Sequence, residues 1–131
     1  MKALYDKVSL ECSRVATRAY STSFSLGVRC LSRELRSPIY SIYGFVRFAD
    51  EIVDSFHCYN KEVLLEKFKS DTYCAIQDKI SMNPILNSFQ HTVHEYRIEK
   101  KLIDQFLKSM EMDLLWKTHD DESFKEYIFG S

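Results

Sequence analysis

Only three glycines and two prolines interrupt this chain of 131 residues. A many-stranded sandwich or barrel needs turn formers at short intervals, so the long segments between these few breakers read as helices. The expected fold class is all-α. Hydrophobic residues make up 45% and charged residues 28%, a balance that supports a buried core and argues against a disordered tail. The length suits a single domain or part of one.

Hydrophobic spacing lays out the segments. From Leu4 to Ala19, Leu4, Val8, Leu10, Cys12, Val15, Ala16 and Ala19 recur at roughly helical intervals and predict a first helix with that set facing inward. Tyr20 to Ser25 is rich in hydroxyls that compete for backbone bonds, so it reads as a turn or cap. The next helix starts either at Ser32, with Pro38 bending an early turn, or at Ser37, with Pro38 in its first position. A loop is expected over Ser55 to Asn60. A helix over Lys61 to Ile80 follows, with Val63, Leu64, Phe68, Cys74 and Ile76 inward. Asn83-Pro84 marks another start, running through Ile85, Leu86, Phe89, Val93 and Tyr96. Leu102, Ile103, Phe106, Leu107, Met110, Leu114 and Leu115 form the stripe of a helix from Lys100 to Lys117. Asp120-Asp121-Glu122 then reads as the acidic first turn of a last helix.

The stretch from Ser37 to Phe56 carries the chemistry. Successive helical residues turn by about 100°, which places Tyr43, Arg47, Asp50 and Asp54 on one narrow stripe. Ile42, Phe45, Val46, Ala49, Ile52, Val53 and Phe56 occupy the opposite half. An acidic pair at i and i+4 on an amphipathic helix ordinarily just faces water. Here, however, no lysine occurs from Pro38 to Asn60, and Ser41, Tyr43, Gly44, Phe48 and Ser55 stand where a solvated face usually carries charge. That composition suits a cavity wall. Two carboxylates in a partly dehydrated site repel each other unless a cation joins them, and a hard divalent ion such as Mg²⁺ accepts such oxygen ligands.

Other chemistries find little support. A formal net charge of −1 supplies no global field for nucleic acid, although arginines gather before Asp50 and acids near the end. Cys12, Cys30, Cys58 and Cys74 are scattered in mostly apolar settings, without zinc or redox spacing, and suit reduced thiols of a cytosolic protein. His91 and His94 lack partner ligands and fit a surface or packing role. No Gly-rich phosphate loop or nucleophile elbow is present. The early charges of Met1-Lys2-Ala3-Leu4-Tyr5-Asp6 lead to the expectation that no secretory leader is present, and no apolar run nears the roughly 20 residues of a membrane span. Peripheral contact with a membrane remains compatible with this sequence.

Tyr20-Ser21-x-Ser23-Phe24, followed by Ile42-Tyr43-Gly44-Phe45-x-Arg47-x-x-Asp50-Glu51-x-x-Asp54, resembles the squalene/phytoene synthase family. The same order continues to Met110-Glu111-Met112-Asp113-Leu114 and Tyr127-Ile128-Phe129-Gly130. The resemblance implies an all-α isoprenoid synthase-type bundle in which acidic motifs on facing helices hold Mg²⁺, or Mn²⁺ in its place, against prenyl diphosphates. It implies head-to-head joining of two geranylgeranyl diphosphates, as in phytoene synthase. Squalene or dehydrosqualene synthesis from farnesyl diphosphate is the alternative within the family, and a non-catalytic assembly protein of the same fold is the alternative outside it. Asp50, Glu51 and Asp54 are the implied metal ligands, and Asp50, Asp54 and Tyr43 the catalytic residues. Ser21, Ser23, Phe24, Tyr43, Arg47 and Phe129 line the implied substrate site.

The family's second acidic motif has no counterpart in these residues, so residues 1–131 are expected to form the N-terminal half of such a bundle. Two consequences are expected: no turnover by the chain alone, and self-association through apolar faces left uncovered.

Overall fold

A computed structural model describes the backbone of residues 1–129 and the side chains of residues 1–117. Among the described residues there are six helices and no strand: α1 (Lys2–Tyr20), α2 (Thr22–Arg29), α3 (Arg33–Asp54), α4 (Lys61–Asp78), α5 (Pro84–Tyr96) and α6 (Lys100–Phe129). The all-α expectation holds. No helix among the described residues is long and apolar enough to cross a membrane.

Local chemistry sets the boundaries. Ser21 alone separates α1 from α2: its backbone is extended, and its hydroxyl accepts a hydrogen bond from the Phe24 amide at 3.1 Å. The hydroxyl-rich stretch is therefore a cap followed at once by a helix, not a longer turn. Between the two possible starts of α3, the chain takes the earlier one. Ser32 precedes the first turn and Pro38 lies inside the helix. The Arg36 guanidinium reaches back to the Leu31 carbonyl at 3.1 Å and the Arg29 carbonyl at 2.9 Å, satisfying acceptors left free where α2 ends. At the other end of α3, Lys61 Nζ donates to the Val53 carbonyl at 2.9 Å. Asn60 caps α4 and Asn83 caps α5, with Pro84 in the first turn as expected. One continuous α6 replaces the two helices expected at the end, so Asp120-Asp121-Glu122 does not open a new one.

α3 runs through the middle and touches α1, α2, α4, α5 and α6. One flank is aromatic and aliphatic. Phe45 stacks on Phe89 with ring centroids 3.9 Å apart and on Phe68 at 5.4 Å, and it meets Phe106 at 5.5 Å. Ala49, Ile52, Val53, Leu65, Leu86, Val93, Ile103, Leu107 and Leu114 complete this core. The other flank is a seam of small polar residues between α1, α3 and α5, built from Ser9, Ser13, Thr17, Ser41, Asn87 and Ser88.

That seam turns α1 away from the orientation expected, although Ala16 of the expected inward set is buried and Leu10 and Cys12 are half-buried. The buried residues of α1 are Ser9, Ser13, Ala16 and Thr17, whereas Leu4, Val8 and Val15 are exposed. Ser41 and Gly44 of α3, expected on a cavity wall, are buried in the same seam. Smaller corrections follow the same pattern. On α4 the inward residues are Leu65, Phe68, Thr72 and Ala75, with Val63 and Cys74 outside; Tyr96, Leu102 and Leu115 are also exposed. Cys30, Cys58 and Cys74 are exposed and only Cys12 is half-buried, so the thiols are free but not in apolar settings.

Candidate functional site

The third side of α3 carries the charged groups, between the α1–α2 junction and α6. The break at Ser21 brings the end of α1 and the start of α2 against this side. Phe24 stacks on Tyr43 with centroids 4.7 Å apart and planes 22° from parallel. Tyr20 lies beneath Arg47, whose guanidinium carbon is 4.6 Å from the ring centre. Ser21 uses its oxygen as a cap acceptor, which leaves its O–H free to donate. Ser23 is exposed beside it.

The acidic motif divides between two directions. Arg47 Nη2 donates to Glu51 Oε2 at 2.9 Å, one helical turn away, and both side chains are mostly covered. Asp54 instead pairs with Lys117 of α6. Asp50 lies half-buried between these contacts. Burial raises its pKa above the ordinary 3.8, and the neighbouring Asp54 and Asp113 charges raise it further, against Arg47 and Lys117. The Glu51 carboxyl is held below its ordinary value by hydrogen bonding to Ser55, Tyr20 and Arg47.

Tyr43, Arg47, Asp50 and Asp54 therefore share one side of α3, as their spacing requires, and Phe24 joins them. Phe129 lies outside the residues whose side chains are described. Asp113 and Lys117 are the partners that spacing along α3 could not supply. Their own i,i+4 relation on α6 is the available signal, but their facing Asp50 and Asp54 is a product of packing. Neither histidine takes part: His94 Nε2 is 2.8 Å from the Ile76 carbonyl and His91 lies beside Glu95.

Among the described residues no three acidic, histidine or cysteine side chains converge into a closed metal cage. The donor set still fits a hard divalent cation that retains waters. Asp50, Asp54 and Asp113 bring three negative charges together, Lys117 offsets one, and Arg47 is bound to Glu51. The pKa of Asp50 is raised first by burial and then by the Asp54 charge, with a smaller contribution from Asp113. Arg47 Nε is buried without a partner, a further donor at the site's edge.

The all-α bundle of the described residues is that of the isoprenoid synthase fold, the fold of the family this chain matches. The family model for squalene/phytoene synthase matches residues 17–131, and the chain belongs to that family. It is 26% identical over 97 residues to a presqualene diphosphate synthase of Rhodopseudomonas palustris, an alignment covering 73% of this chain and 34% of that one. It is 23% identical over 134 residues to the bifunctional protein CrtB/UppS of Streptomyces coelicolor, covering 99% of this chain and 22% of the other. The chain thus spans about a third of the length of one of these curated relatives and less of the other. No solved structure matches it.

Proposed function

We propose that residues 1–131 form an N-terminal portion of a Mg²⁺-dependent head-to-head prenyltransferase that joins two geranylgeranyl diphosphates in carotenoid biosynthesis. The observation that supports this reading is the Asp50 and Asp54 pair on the same side of α3 as Arg47, with Asp113 and Lys117 of α6 beside it. Asp50 and Asp54 would hold the metal, and Mn²⁺ would serve in its place. Bound there, the cation would stabilise charge on a departing diphosphate. Arg47 would orient the same diphosphate by its planar donors. The stacked Phe24 and Tyr43 rings would present an apolar wall to the prenyl cation and keep water from it, with the Ser21 and Ser23 hydroxyls at the rim. The proposed setting is the cytosol.

A farnesyl reading has one observation in its favour, the similarity to a protein named for presqualene diphosphate. Calorimetry with non-reacting geranylgeranyl and farnesyl thiodiphosphates in Mg²⁺ separates the two. The proposal expects tighter binding of the longer chain and loss of binding in Asp50→Asn and Asp54→Asn. The reverse order of affinity would select the farnesyl substrate. Equal weak binding by wild type and both variants would remove the site.

A further inference from the structure

Asp50-Glu51-x-x-Asp54 looks like a single acidic cluster when written as a line, but α3 turns its members apart. Asp50 and Asp54 are one turn apart and share their surroundings with Asp113 and Lys117 of α6. Glu51 is rotated by about 100° from Asp50. Its own neighbours one turn away are Arg47 and Ser55, and the element facing it is the end of α1, where Tyr20 lies.

We propose that Glu51 is a positioning residue for Arg47, not a metal ligand, and that Tyr20 is the second half of the same clamp. This rests on the reading of Arg47 as the diphosphate partner. A long arginine side chain on a helix surface is free to sample many rotamers, and holding it in one costs entropy at each binding event. Two contacts remove that freedom here. Glu51 Oε2 fixes one edge of the guanidinium at 2.9 Å, and the Tyr20 ring covers one face at 4.6 Å. Tyr20 also lies near enough to the Glu51 carboxylate to help hold its pKa down, so the two arms sit together. Glu51 Oε2 is already bound by Arg47, and Ser55 and Tyr20 beside it help hold the carboxylate in its charged form on this side of α3. Asp50 and Asp54 instead share their surroundings with Asp113 and Lys117 of α6.

Two readouts on the full chain test the assignment. Mn²⁺ binding followed by electron paramagnetic resonance reports ligation. Glu51→Gln is expected to keep the wild-type affinity within about twofold, whereas Asp50→Asn weakens it by about tenfold or more. The Nε–Hε resonance of Arg47, assigned by its disappearance in Arg47→Lys, reports positioning. It is expected to show a rigid heteronuclear NOE in the wild type and a mobile one in both Glu51→Ala and Tyr20→Leu. A tenfold loss of Mn²⁺ affinity in Glu51→Gln would overturn the inference, as would an unchanged Arg47 resonance in Glu51→Ala. If Asp50→Asn leaves Mn²⁺ affinity intact while Arg47 still loosens in Glu51→Ala, the metal site falls and the clamp stands.

Discussion

The two flanks of α3 are packed by opposite means. Towards α4, α5 and α6, Phe45 sits among Phe68, Phe89 and Phe106, and the contact is made of large rings. Towards α1 and the opposite side of α5, the contact is made of small residues with polar tips. Ser41 Oγ is 2.5 Å from Ser88 Oγ, and Asn87 Nδ2 donates to Asp6 Oδ1 at 2.9 Å and Ser9 Oγ at 3.1 Å. Gly44 lies against Ser13 and Ile85. Burial of area stabilises the first flank, while the second trades bulk for close approach and must satisfy each polar group it hides. The difference teaches that a helix can be central to a fold on a side where it carries almost no hydrophobic residue.

The comparison breaks or sharpens under substitution. Phe45→Ala removes the ring stacked on Phe68 and Phe89 and tilted against Phe106, and is expected to lower unfolding free energy by about 3–5 kcal/mol in urea titrations. Asn87→Ala, in the polar seam, removes one partner each from Asp6, Ser9, Gln90 and the Ser81 amide, and about 1–3 kcal/mol of loss is expected. A cost as large as that of Phe45→Ala would show that the two flanks are energetically alike. Gly44→Ala tests closeness. An added Cβ would sit 3.4 Å from Ser13 Oγ and 3.6 Å from Ile85 Cδ1, ordinary contact distances. Relief of the glycine penalty inside a helix is then expected to raise stability by up to about 1 kcal/mol. A loss instead would mean that the seam is tighter than its distances. Ser13→Ala removes a buried hydroxyl that has no partner, and a change within about 0.5 kcal/mol is expected.

The contrast also explains what could be read from sequence. The aromatic flank was legible because Phe45, Ala49, Ile52 and Val53 repeat at helical spacing, and Asn83-Pro84 announced α5 by its capping chemistry. The polar seam was not. Counting hydrophobic residues turns α1 to the side of Leu4, Val8 and Val15, yet the buried stripe is Ser9, Ser13, Ala16 and Thr17. Hydroxyls that bond back along their own helix can be buried at little cost: Ser9 Oγ donates to the Tyr5 carbonyl and Thr17 Oγ1 to the Ser13 carbonyl, both at 2.9 Å. No periodicity of apolar residues records such an arrangement. In the candidate site, helical spacing was enough to join Tyr43, Arg47, Asp50 and Asp54. The parts it could not supply, Asp113 and Lys117 opposite Asp50 and Asp54 and Tyr20 beneath Arg47, arise only when α6 and the end of α1 pack on α3.

Asp50 sits where the packed interior meets this acidic surface, and its ionisation tests the account most directly. In the folded chain its pKa is raised by burial and then by Asp54 and Asp113, so the folded state binds the proton more readily than the unfolded state does. This group's contribution to stability therefore increases as pH falls from the folded pKa towards 3.8, and its charged form costs stability above that window. A bound divalent cation reverses the balance by favouring the carboxylate. The measurement is a carbon-13 NMR titration of the Asp50 carboxyl in metal-free buffer and in Mg²⁺ at matched ionic strength, assigned with Asp50→Asn. The account predicts a midpoint above 3.8 without metal that moves down when Mg²⁺ is present. A midpoint at the ordinary aspartate value, indifferent to Mg²⁺, would contradict it.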